Sequence, residues 1–131
     1  MYSEKVMEHY MMPRNAWHMP EADGVGCVYS GECGDKFTMF IRVCGDIIRD
    51  VSFLASGCGA AIAAGSLTTM LARGKTIKEA LKITEEDVIR ALGGLPAAKQ
   101  HCSDLSVSAL QTAIMDYLAK QQREIKEFFE N

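Results

Sequence analysis

Three cysteines set the strongest constraint on this 131-residue chain, because none of them stands where a packing cysteine would. Cys33 lies in Gly31-Glu32-Cys33-Gly34-Asp35, and Cys58 in Ser56-Gly57-Cys58-Gly59-Ala60. Cys102 follows His101 in Leu95-Pro96-Ala97-Ala98-Lys99-Gln100-His101-Cys102-Ser103. Glycines leave the backbone free to turn close to a bound group and offer nothing to a core. The three are too far apart in sequence for the C-x-x-C knuckle of structural zinc domains. If they act together, the fold must assemble the site from three remote segments.

Each setting also suits thiolate chemistry. Cys58 precedes a run of small residues, Ala60 to Ala72, that reads as a helix, so its sulfur would sit in the positive end of the helix dipole. Lys99 supplies a positive charge that favours a thiolate at Cys102, and His101 a second ligand or a proton carrier. Asp35 reads either as a turn residue or as an oxygen ligand beside Cys33. Cys27 and Cys44 fall inside apolar strand segments with no acid or histidine next to them, and they read as small core or near-surface residues. Five cysteines is an odd number, and metal binding or thiol chemistry explains them better than a disulfide framework.

The remaining pattern gives a single α+β domain over residues 1–131, with residues 1–25 as an N-terminal arm. Ser3 caps a short helix that Pro13 ends. Residues 14–26 read as an extended arm in which Trp17 alone demands burial. Strands are expected over 26–32, over Lys36 to Cys44 and over Ile47 to Ala55, joined by short turns into an antiparallel meander. Thr76-Ile77-Lys78-Glu79 has capping-box spacing, and Thr84-Glu85-Glu86-Asp87 is a weaker version of it. A long helix runs from Ser103 to about Phe129, with Leu110, Ile114 and Leu118 on one face. Three strands therefore pack against helices, the last of them long. Beyond the expected core, Leu118, Gln121, Ile125 and Phe128 continue the stripe, which predicts a partner or self-association face and with it a homodimer.

A net charge of −3 without a Lys/Arg cluster argues against a nucleic-acid partner. No apolar run approaches the roughly 20 residues of a membrane span. The acidic start, Met1 to Tyr10, has neither a signal-peptide nor a transit-peptide layout, so a cytoplasmic location is expected.

Four stretches in this order resemble the IscU/NifU-type iron–sulfur cluster assembly scaffolds. They are Tyr2 to Asn15, Cys33-Gly34-Asp35, Gly57-Cys58-Gly59-Ala60-Ala61-Ile62-Ala63 and Leu95 to Ser103. The resemblance implies a non-enzymatic scaffold whose three cysteines meet at one exposed end. There a cysteine desulfurase delivers persulfide sulfur, iron joins it, and a transient [2Fe-2S] cluster forms and passes to apo iron–sulfur acceptor proteins. The matching ligands are Cys33, Cys58 and Cys102, with Asp35 or His101 as the fourth. The resemblance makes Cys102, beside Lys99, the persulfide acceptor, and Asp35 the residue that keeps the cluster labile. Zinc could occupy the same donor set in the absence of a cluster.

The chaperone-docking segment of that family usually reads L-P-P-V-K. Here it is Leu95-Pro96-Ala97-Ala98-Lys99, and losing the second proline weakens the expectation of a DnaK-type chaperone partner. The alternative is a zinc-dependent sulfurtransferase or sulfur acceptor of the SufU type. That branch lacks the histidine of the His-Cys pair, so His101 argues against it.

Overall fold

A computed structural model describes residues 2–31 and 34–130. The element order is α1 (Glu4–Met11), β1 (Gly24–Tyr29), β2 (Lys36–Cys44), β3 (Ile47–Ser56), α2 (Gly59–Ala72), α3 (Ile77–Ala80), α4 (Glu85–Ala91) and α5 (His101–Glu130), with a 3-10 turn at Ala97–Lys99 before α5. The strands form one antiparallel sheet in the order β1-β2-β3. This is the expected α+β meander with helices and a long final helix.

The two-residue turn at Gly45-Asp46 sets the β2–β3 register, with Cys44 opposite Ile47. Gly45 has φ +67, a value that costs a glycine little and an L side chain more. On β2, Phe37, Met39 and Ile41 are buried at alternate positions, which is the pattern of a sheet with one face on the core. Phe37 stacks on Phe53 of β3 with ring centroids 6.4 Å apart. Gly65 of α2 lies against these rings, so close that a Cβ there would fall 2.5 Å from Phe53.

β1 reaches the core by a different device. It begins at Gly24, two residues earlier than the expected strand, and stops at Tyr29. Gly24 and Gly26 face α5, and a Cβ on either would lie 2.3 Å from the carbonyl oxygen of Ala113 or Ala109. The missing side chains let α5 lie directly along the strand. The Asp116 carboxylate, also on α5, accepts the outward Val25 N–H at 2.9 Å and so covers part of the free sheet edge.

The opposite edge is covered by the arm. Ser3 caps α1 by accepting the Val6 N–H and also donates to the Leu92 carbonyl, tying the start of the chain to the end of α4. Asn15 has φ +61, tolerated because asparagine adopts the left-handed region more readily than most residues. Its carbonyl accepts the Phe53 N–H at 2.9 Å, and its side-chain amide donates to Thr69 of α2 at 3.0 Å. Farther along, His18 packs edge-on against Phe40 at 5.2 Å, which buries Phe40 on the outer sheet face.

The residue expected to need burial is not the one that obtains it. Met19 is buried in the arm, whereas Trp17 is 53% exposed. The Asn15 carbonyl and the His18 ring against Phe40 hold the arm to the sheet, and the indole is left facing outward.

Both capping boxes form in full, at Thr76/Glu79 and at Thr84/Asp87, so the second is not the lesser of the two. α5 starts at His101 rather than Ser103, because the 3-10 turn leads into it without a break. That shift places Cys102 inside the first helical turn. Among the described residues no helix is long and apolar enough to cross a membrane.

Candidate metal–sulfur site

Three segments converge at one end of the sheet: the start of β2, the β3–α2 junction and the start of α5. Asp35, immediately before β2, is 8% exposed. Its backbone is fixed by its carbonyl accepting the Ser30 N–H at 2.8 Å. Gly57 makes room for its carboxylate, since a Cβ there would fall 2.8 Å from Asp35 Oδ1. His101 Nε2 lies 3.8 Å from Asp35 Oδ2 and 3.8 Å from Cys102 Sγ. Ligand atoms of Asp35, His101 and Cys102 all lie within 4.8 Å of one another, close enough to share one metal ion. This donor set mixes a soft sulfur, an imidazole and a hard carboxylate.

Cys58 lies beside this group rather than within it. It is the N-cap of α2, so its sulfur sits at the positive end of that helix, although its side chain makes no capping bond. Burial works to raise its thiol, but the N–H donors of Ala61 and Ala60 and the Lys99 ammonium outweigh it, leaving the pKa below the ordinary cysteine value. Cys102, fully buried, behaves in the opposite way: burial, followed by the neighbouring Cys58, pushes its thiol up to about 12. The two thiols influence one another: Cys102 favours the anion at Cys58, and the Cys58 charge disfavours an anion at Cys102.

Lys99 is expected to serve Cys102, yet its charge interacts first with Cys58, which raises the lysine's own pKa. The 3-10 turn accounts for this, because it presents Lys99 across the junction toward the α2 N-terminus while Cys102 turns inward on α5.

Tyr2 is a site neighbour that the sequence reading missed. Burial and then the nearby Cys58 charge raise its pKa, which marks it as a neighbour of that thiol. The opening stretch marks the residue, but no local pattern places a second residue beside a fifty-eighth. Cys33 falls outside the described residues. Cys27 and Cys44 are both exposed and remote from the cluster, and the Thr38 hydroxyl donates to the Cys27 sulfur at 3.6 Å.

Comparison with known proteins gives a consistent set of similarities. Residues 1–124 match the family described as NifU-like N terminal domain. The chain is 52% identical over 120 residues to iron-sulfur cluster assembly scaffold protein IscU 1 of Archaeoglobus fulgidus, covering 92% of this chain and 78% of that protein. It is 44% identical over 124 residues to the IscU scaffold protein of Aquifex aeolicus, covering 93% and 79%. Among solved structures it resembles an N-terminal NifU-like protein from Brucella abortus, with TM-score 0.73, 16% identity and coverage of 90% and 94%. At that identity the likeness concerns the fold alone.

Proposed function

The chain belongs to the NifU-like N-terminal domain family, and on that premise we propose that it is a scaffold on which a transient [2Fe-2S] cluster is assembled and then released to acceptor proteins. The observation that carries this reading is the convergence of Asp35, His101 and Cys102 donors within 4.8 Å, with Cys58 near enough to raise the Cys102 pKa. Relatives named as iron–sulfur cluster assembly scaffold proteins supply the class of cargo.

In this proposal Cys33, Cys58 and Cys102 bind the cluster, and Asp35 or His101 takes the fourth position. Sulfur arrives as a persulfide on a cysteine desulfurase. A scaffold thiolate attacks the terminal sulfur, a new S–S bond forms as the donor's S–S bond breaks, and the desulfurase leaves as a thiolate. The sulfane sulfur changes carrier without net oxidation. Cys58 is the readier thiolate, since Lys99 and the α2 amides stabilise its anion. Cys102, the acceptor that the family resemblance implies, is buried with its thiol held protonated in the metal-free chain. A carboxylate among soft ligands binds iron–sulfur units less firmly than a fourth thiolate would, which suits a site that must give up its cargo.

Anaerobic incubation with a cysteine desulfurase, cysteine, ferrous iron and a reductant tests the proposal. Visible absorption with matching iron and sulfide content is expected, and Cys33→Ser, Cys58→Ser or Cys102→Ser each abolishes it. Cys27→Ser and Cys44→Ser leave it intact. A protein that takes up zinc and persulfide but forms no cluster under these conditions would overturn the scaffold reading.

A further inference from the structure

A second feature lies apart from the cysteine cluster. Pro13, Arg14, Asn15, Trp17, Met70 and Arg73 line a surface groove of about 550 Å³ between the arm and the end of α2. Trp17 and Met70 are 53% and 49% exposed, and no carboxylate lines the groove. Its two cations are incompletely engaged. Arg14 bonds Glu8 through Nη2, but its Nη1 is buried without an acceptor. Arg73 reaches Asp50 only at 3.8 Å and remains largely exposed. The recess is lined by an indole and a thioether and carries two guanidiniums, each also paired with a carboxylate outside its lining.

The end of α5 has the complementary character. Phe128 and Phe129 are 77% and 79% exposed, the largest exposures among the bulky apolar side chains of the described residues, and they pack edge to face on one another. Glu127 and Glu130 flank them, both exposed, with Glu130 also reaching Lys126 at 3.8 Å. Two aromatic rings between two carboxylates match a recess that offers an indole, a methionine and two guanidiniums.

We propose that the Glu127–Glu130 segment of one copy docks in the Trp17–Arg14–Arg73 groove of a second copy. The two patches are different surfaces of the same chain, so a reciprocal exchange makes two identical contacts around a two-fold axis. In the isolated chain both patches stand exposed, so the contact is between molecules. It engages the arm and the tail and leaves the cysteine cluster uncovered.

Trp17 is the sole tryptophan, so its emission reports directly on the groove. Sedimentation velocity and Trp17 fluorescence of the full chain across a wide concentration range are expected to show reversible dimerisation together with an emission blue shift. The variant F128A/F129A changes only exposed side chains, and it should weaken association by about tenfold or more and hold Trp17 emission at its dilute value. Arg73→Glu should do the same. Mixing the Arg73→Glu protein with E127K/E130K should restore association, because the charges again oppose.

A wild-type chain that stays monomeric at every concentration overturns the proposal. So does association that persists in F128A/F129A. A Trp17 spectrum that differs between wild type and F128A/F129A while both remain monomers places the tail in its own groove, and this too overturns docking on a second copy.

Discussion

Cys58 and Cys102 stand close enough to shift one another's acidity, yet the two diverge, with Cys58 below the ordinary cysteine value and Cys102 pushed up to about 12. Two thiolates side by side repel, so the structure concentrates the negative charge on the sulfur that meets Lys99 and the α2 amides. Of this pair the metal-free protein therefore presents Cys58 as the nucleophile and Cys102 as its protonated partner, where the sequence reading makes Cys102 the persulfide acceptor.

Iodoacetamide should accordingly modify Cys58 at least about tenfold faster than Cys102 in metal-free protein near neutral pH. Mass spectrometry of peptides from a short exposure would measure this. Lys99→Met removes the cation that favours the thiolate, so the pH profile of Cys58 alkylation should move upward. Faster labelling of Cys102, or a profile that Lys99→Met leaves in place, would contradict the arrangement.

Asp35 faces both Gly57 and His101, and its carboxylate is almost wholly shielded from water. Under the scaffold proposal, Asp35→Ala removes the hard ligand and should lengthen the lifetime of an assembled cluster by about tenfold, followed by decay of the visible absorption after transfer to an acceptor or chelator. A shorter lifetime would instead make Asp35 a stabilising ligand.

Much of this arrangement is legible along the chain. The alternation of Phe37, Met39 and Ile41 identifies β2, the Gly45-Asp46 turn its partner, and the glycines around Cys58 its place at a helix start. What stays hidden depends on contacts distant in sequence. Lys99 is two residues from His101, which suggests service to Cys102, but the 3-10 turn directs its charge to Cys58, forty-one positions earlier. Trp17 has the size and apolarity of a buried anchor, but the Phe53 N–H donating to the Asn15 carbonyl and His18 packing on Phe40 hold the arm without it. Gly24 and Gly26 resemble weak strand formers until α5 is laid against them.

That last contact is open to a direct test. At Gly26, an alanine methyl would fall 2.3 Å from the Ala109 carbonyl and 2.4 Å from the Ala113 nitrogen, both backbone atoms that cannot rotate aside. Gly26→Ala should cost about 3 kcal/mol, at the upper end of ordinary overpacking, read as a lower urea midpoint with an unchanged slope. At Gly31 a methyl meets nothing within 4 Å, so Gly31→Ala serves as the control.

His9 supplies a pH dependence. It is 1% exposed, its Nδ1 lies 2.7 Å from Ser66 Oγ, and the same oxygen accepts the Arg14 N–H at 2.9 Å. Burial, followed by the nearby Arg14 charge, lowers the His9 pKa below 6.5. The unfolded chain therefore binds a proton at higher pH than the folded one does. Above about pH 6.5 both states hold a neutral imidazole and His9 contributes no pH dependence. As pH falls below that value the unfolded state gains the proton first, so stability declines, until the folded-state pKa is passed. Urea midpoints measured from pH 7.5 downward should show this loss, and His9→Gln should remove the histidine component of the slope. Ser66→Ala strips His9 and the Arg14 amide of their shared partner, and should cost about 1–3 kcal/mol even at neutral pH. The bond joins α1 and the arm to α2, so the same variant should speed amide exchange in residues 4–16 ahead of the sheet. Uniform acceleration across the chain would show instead that α1 and the sheet open as one unit.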